Sequence, residues 1–299
     1  MGTQPRFEYT LELAERSVGY VIRREHLTQH RDPAMPQPHF YIQNAPGRYR
    51  YFDPNTRKLE SPTWEYKELE TALAQVPRMY REPADFRRML HETLLYHHVD
   101  VSRRGVIRLP QDLRPVSLPG PNGEDLYAAL YNLRTEDEAS FDRIEEALRA
   151  AFPGFRKLEF PLVGAGKATL AWYQEGFTKA FYPNQLSEGM LRFLWLSTIL
   201  LSPQLPPITL IDEPEVSLHP ELLKILAGLI REAARRTQLI VATHADRLIR
   251  WMEPTEIAVV DKEEDRTRIT WADTLDLADW LKKYTLDELW LMGELGGRP

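Results

Sequence analysis

An α/β fold, with a C-terminal parallel-sheet lobe behind an antiparallel β and helical region, is what three features of the chain predict. Residues 208–211 (Ile-Thr-Leu-Ile) and 238–242 (Gln-Leu-Ile-Val-Ala) are short apolar runs of the kind buried in parallel sheets. Between them Leu223, Leu226, Ile230 and Ala233 recur at helical spacing, so strand, helix and strand follow one another. Residues 7–52 read differently, as short runs broken by turn residues, which is the pattern of antiparallel hairpins.

The elements follow in order. Residues 7–13 alternate, 19–27 form a second run, and 39–42 and 48–52 flank the turn sequence Asn44-Ala45-Pro46-Gly47. Pro54-Asn55 is expected to close this meander. Helices are expected over 65–75 and 83–96; the second starts with Pro83 and repeats Phe86, Met89, Leu90 and Leu94. Pro110, Pro115, Pro119 and Pro121 mark a linker, placing the domains at 1–110 and 111–299. Helices at 124–133 and 138–152 and strands at 157–163 and 169–173 come next. Ser187 suits the cap of a helix carrying Leu191, Leu194, Trp195, Thr198 and Ile199, which Pro206-Pro207 stops. After strand 208–211, Pro220 opens a helix and 238–242 is the second buried strand. Residues 257–260 and 268–271 suggest a further pair, and Trp280, Tyr284, Leu289 and Trp290 an apolar C-terminal helix face.

Composition narrows the function classes. With 43% apolar and 27% charged residues the 299-residue chain is that of a folded protein. A net charge of −6 gives no global attraction to nucleic acid or anionic membranes. The absence of cysteine excludes disulfides, thiolate metal sites and cysteine nucleophiles, and suits a reducing compartment. The N-terminus shows no apolar signal core, and the apolar run 191–201 contains Arg192 and is too short to span a bilayer. A soluble, cytoplasmic protein is expected.

Three segments carry chemistry. Asp212 closes the first buried strand, a position from which a carboxylate can order Mg²⁺ through oxygen. Glu213 follows and can orient or deprotonate an attacking water. Thr243-His244 lies just beyond the second buried strand, at the same edge of the sheet, where His244 can contact a terminal phosphate. Ser187, Glu188 and Gly189 open a helix whose exposed N–H groups and dipole favour an anion.

Together these segments resemble the ABC-type ATPase superfamily, specifically its RecF- and SMC-like branch of predicted AAA-type ATPases. Residues 186–190 look like the signature motif, 208–213 like Walker B, Ser217-Leu218-His219-Pro220 like the D-loop and Thr243-His244 like the switch. The resemblance extends to 123–126, to the turn 152–155 and to the tail 289–299. It implies a P-loop-NTPase-like lobe using ATP and Mg²⁺ in DNA repair, DNA maintenance or phage defence. Asp212 would hold the metal, Glu213 would be the catalytic base and His244 would sense the γ-phosphate. Ser187, Glu188 and Gly189 would contact ATP on a partner, in a head-to-tail homodimer, with DNA as a possible further partner and no membrane.

One part of the pattern is missing. No G-x-x-x-x-G-K-[ST] occurs in the 299 residues, so the P-loop strand and helix are expected to be absent from this chain. Gly164-Ala165-Gly166-Lys167-Ala168-Thr169 has Ala168 where the metal-ligating hydroxyl belongs and reads as a hairpin turn. Gly120-Pro121-Asn122-Gly123 continues into Glu124-Asp125, acids that repel phosphate, and reads as a loop leading into a helix. His91-Glu92 with His97-His98 lacks the spacing of a zinc motif and reads as helical surface. Three functions stay open: an ATPase whose P-loop is missing through a shortened chain or misplaced start or sits on a separate polypeptide, a non-hydrolysing interaction module descended from one, or a nucleic-acid clamp arm.

Overall fold

The computed structural model describes residues 7–31, 37–45, 47–264 and 266–297. Met1 to Arg6, Pro46 of the expected turn and the last two residues of the 289–299 tail lie outside these. The chain divides into two compact units, Met1–Glu92 and Thr93–Pro299. The division precedes the expected boundary at 110, and the proline-rich stretch lies inside the second unit. The physical reason is Leu94–Tyr96, a strand of the second unit's parallel sheet that the helical spacing of its leucine had concealed.

The first unit is a five-stranded antiparallel sheet with two helices. Strands β1 (Phe7–Glu15), β2 (Tyr20–Gln29), β3 (His39–Ala45), β4 (Arg48–Asp53) and β5 (Lys58–Glu60) pair in sequence order. The meander therefore runs one strand past Pro54-Asn55. The helix expected over 65–75 is reduced to α1 (Ala72–Gln75), because Trp64 and Tyr66 pack as loop aromatics, Tyr66 stacked on Tyr49 at 3.7 Å. Helix α2 (Arg81–His91) ends before Leu94. Glu25, fully buried, closes the start of α1 by accepting from the Ala72 and Leu73 amides at 2.6 and 2.8 Å, and from the Tyr9 hydroxyl. Leu27, Ile42, Tyr51, Leu73 and Tyr80 form the core around it.

The second unit is α/β. Its strands are β6 (Leu94–Tyr96), β7 (Gln111–Asp112), β8 (Phe155–Glu159), β9 (Leu162–Gly164), β10 (Lys167–Ala168), β11 (Ala171–Gln174), β12 (Ile208–Asp212), β13 (Gln238–Ala242), β14 (Ala258–Glu263) and β15 (Arg266–Trp271). Its helices are α3 (Leu126–Glu136), α4 (Glu138–Ala151), α5 (Glu188–Leu201), α6 (Leu222–Ala234), α7 (Asp246–Ile249) and α8 (Leu286–Met292). The central sheet has the order β13-β12-β6, all parallel. Smaller antiparallel groups are β7-β10-β9, β8 with β11, and the β14–β15 hairpin.

Helix α5 is buried from Leu191 to Leu201 and forms the middle of the core with Trp172, Phe193, Trp195, Leu226 and Leu148. A helix apolar all round belongs inside a protein. By contrast β13, equally apolar, is an outer strand whose residues alternate between exposed and half-buried, with Ile240 48% exposed. The two glycine-rich decoys take the structural roles expected of them. Gly164, Ala165 and Gly166, all at positive φ, turn β9 into β10. Gly123, at φ +84°, leads toward α3, and a Cβ there would lie 2.7 Å from Val99 Cγ2. No helix among the described residues is long and apolar enough to cross a membrane.

Candidate functional site

Parallel register brings three strand ends to one edge of the central sheet. Ile211 of β12 is level with Tyr96 of β6, and Asp212 is level with Ala242 of β13. The residues that follow, His97, Glu213 and Thr243-His244, therefore gather around Asp212. In open α/β sheets this C-terminal edge is where ligands bind. His97 Nδ1 lies 3.0 Å from Oδ2 of Asp212. The expectation of a helical surface for His97 fails for the same reason as the helix over 83–96. A three-residue strand acquires its identity from Thr209 to Ile211, distant in sequence.

Glu213 continues the ladder by donating its amide to the Ala242 carbonyl at 2.9 Å, then turns at φ +45°. A non-glycine residue in the left-handed region is strained, and such strain concentrates at functional sites. Asp212 and Glu213 are both half-buried, whereas His244 is exposed. Thr243 Oγ1 donates to Glu215 Oε1 at 2.6 Å and accepts from the Ala245 amide at 3.0 Å. The loop after β12 and the turn after β13 are thus tied together directly beside His244. The other oxygen of Glu215 is buried without a hydrogen-bond partner.

The helix start at 187–189 comes to this loop from the other side. Ser187 caps α5, its side chain accepting from the Met190 amide at 3.2 Å. Gly189 packs so tightly that a Cβ would lie 2.8 Å from the Ser217 carbonyl oxygen. Ser187 and Glu188 remain exposed. Two buried arginines fix this segment, and neither stands out in the sequence. Arg108 donates to the carbonyls of Val101 at 2.7 Å and Leu186 at 2.9 Å, and to that of Pro183. Arg192 on α5 reaches the Val99 carbonyl at 3.4 Å, and burial pushes its guanidinium below its ordinary value.

The donor set suits a hard cation only in part. Asp212 offers an accessible carboxylate beside Glu213, and Mg²⁺ takes one or two carboxylates with water and phosphate oxygens completing its shell. Among the described residues no group of three or more His, Asp or Glu side chains could hold a metal by itself. Asp212 therefore fits Mg²⁺ delivered with a phosphate ligand, not an all-protein cage. A bound Mg²⁺ would supply charge neutralisation at the phosphates. Beside it the chain offers a half-buried carboxylate at Glu213 and exposed polar side chains at His244 and Ser187.

A family model described as "AAA domain, putative AbiEii toxin, Type IV TA system" matches residues 3–250, and the chain belongs to this family. Comparison with curated proteins gives no match. Among solved structures, one described as "Structural biochemistry of ATP-driven dimerization and DNA stimulated activation of SMC ATPases" is similar at 19% identity and a TM-score of 0.38, covering 51% of this chain and 96% of that one. The Smc head domain with a coiled coil and joint from Pyrococcus yayanosii gives 23% identity, a TM-score of 0.39 and 50% coverage of this chain. The match spans only 29% of that chain's length. The SMC head domain from Thermotoga maritima gives 11% identity and a TM-score of 0.40, covering 88% of this chain and 73% of that one. At these TM-scores the likenesses carry no argument. Membership of an AAA-type ATPase family rests on the family match.

Proposed function

We propose that this chain carries the hydrolytic half of an ABC-type, RecF/SMC-like ATP site, whose phosphate-binding loop comes from outside these 299 residues. The observation that carries the reading is the register pairing Asp212 with Ala242, which sets Asp212, Glu213 and Thr243-His244 on one sheet edge. Asp212 would hold Mg²⁺, Glu213 would deprotonate the attacking water and His244 would contact the γ-phosphate. Ser187, Glu188 and Gly189 would meet ATP bound by a partner, either a second copy placed head to tail or a different P-loop-bearing chain. DNA maintenance or phage defence is the setting we favour, with DNA as a further ligand and the cytoplasm as the site of action. The alternative, a non-hydrolysing interaction module, draws on the half-exposed apolar edge at β13, where another polypeptide could seat.

Calorimetric titration of Mg²⁺-ATP into the full chain tests the reading, with turnover measured alone and beside a P-loop-bearing partner. The expected result is weak binding alone and turnover restored by the partner. Glu213→Gln should then lower that turnover by about 10²–10⁴-fold, the usual contribution of a general base. Turnover indifferent to Glu213→Gln overturns the catalytic assignment.

A further inference from the structure

The contact between His97 and Asp212 has no place in the sequence pattern above, yet buried residues flank it in the chain. Tyr96, immediately before His97, is fully buried, donates its hydroxyl to the Pro119 carbonyl at 3.2 Å and sets its ring edge-on to Trp195 at 5.6 Å. Val99, two residues later, is fully buried as well, and its carbonyl accepts from Arg192. The His98 ring lies edge-on to that of His97 at 5.4 Å. An exposed histidine between two buried residues, just beyond a strand in register with β12, therefore comes within 3.0 Å of one carboxylate oxygen.

We propose that His97 is a positioning residue for the metal-binding carboxylate: its Nδ1, 3.0 Å from Oδ2 of Asp212, keeps to that oxygen and leaves Oδ1 as the one presented to a divalent cation. This rests on the reading that Asp212 binds the metal. Mg²⁺ demands near-octahedral geometry and is ill served by a carboxylate free to swing between one-oxygen and two-oxygen binding. A close polar contact at the second oxygen restricts that freedom before the cation arrives. Such outer partners of metal ligands typically contribute about 10–100-fold in metal affinity. The role needs only a polar nitrogen at the δ position, not an imidazole, and this separates it from direct ligation by the ring.

The test uses Mn²⁺ as the probe, with free Mn²⁺ followed by electron paramagnetic resonance as the full-length chain is titrated with and without ATP. Four proteins are compared: wild type, Asp212→Asn, His97→Ala and His97→Asn, whose amide nitrogen falls close to the place of Nδ1. Circular dichroism confirms that each is folded, which the exposure of His97 favours. The expected result is Mn²⁺ binding that Asp212→Asn removes, that His97→Ala weakens about tenfold or more, and that His97→Asn largely restores. Binding abolished by Asp212→Asn but unchanged in His97→Ala overturns the positioning role while sparing the metal assignment. Equal losses in His97→Ala and His97→Asn also overturn it, because the ring itself would then be the ligand. Mn²⁺ binding indifferent to Asp212→Asn overturns the metal assignment and this proposal with it.

Discussion

The α carbon of Gly189 sits against the carbonyl of Ser217 so closely that any side chain there would begin 2.8 Å from the oxygen. The start of helix α5 and the loop leaving strand β12 are thereby packed backbone to backbone. Gly189 has a local reason to be glycine, independent of any contact with a ligand. Gly189→Ala should force the two segments apart and destabilise the second unit by about 1–3 kcal/mol, the usual range for overpacking. Urea denaturation measures this, and a midpoint equal to wild type would show that the loop yields freely. Because the same loop begins at Asp212 and Glu213, turnover in the partner-completed assay should fall together with stability.

Glu213 separates these two quantities. Its φ of +45° is strained for any residue with a Cβ, and glycine would relieve this. Glycine also loses more entropy on folding, so the effects largely offset. Glu213→Gly should leave unfolding free energy within about 1 kcal/mol of wild type, while turnover drops as far as in Glu213→Gln. A loss of stability well beyond that range, seen by chemical denaturation, would mean that the carboxylate makes structural contacts beyond the backbone turn.

Thr243 makes the opposite case, a residue whose removal should be felt through its neighbour. Its hydroxyl donates to Oε1 of Glu215, while the other oxygen of that carboxylate is buried and unpartnered. Thr243→Val keeps the shape but strands a part-buried acceptor, at a cost of about 1–3 kcal/mol. Thr243→Ser should restore most of it. If the bond also steers His244, Thr243→Val will lower turnover and raise the ATP concentration needed for half-maximal rate, again with rescue by serine. Equal behaviour of the valine and serine variants in thermal melts would rule out the bond's contribution.

Strands β12 and β13 and the cap of α5 were legible in the chain because their causes are local. A continuous apolar run, a proline pair and a serine before an apolar helix each act within a few residues. Asp212, Glu213, His244 and Ser187 could be located for that reason. Leu94–Tyr96 could not, since three residues have too little pattern of their own and extended the helical spacing of Phe86, Met89 and Leu90. Only parallel pairing with Thr209 to Ile211 makes them a strand. His97 was lost with them, although an Asp at one strand end always invites the question of which residue ends the neighbouring strand. Arg108 was hidden differently: its three acceptors are backbone carbonyls, which no side-chain motif announces.

Two buried tyrosines couple the stability of the second unit to alkaline pH. Tyr96 and Tyr127 are fully buried, and burial holds both phenols well above their ordinary value, reinforced at Tyr96 by Glu124 and opposed at Tyr127 by Arg108. In the unfolded chain each ionises near pH 10, about its model-peptide value. Below that pH both states keep the proton and the contribution to stability is fully present. Above it the unfolded state binds fewer protons than the native state, so stability falls as pH rises, by about 1.4 kcal/mol per pH unit for each tyrosine. Tyr127→Phe removes one of these protons. It should also cost a roughly constant 1–3 kcal/mol at every pH, because the Ile107 carbonyl loses the donor it has in the wild type. Urea unfolding of both proteins should therefore show little difference in slope below about pH 10 and lines that converge above it, where the slopes differ by about one proton. Parallel lines would mean that Tyr127 ionises equally in the folded and unfolded chain, and that the interior around it is open to water.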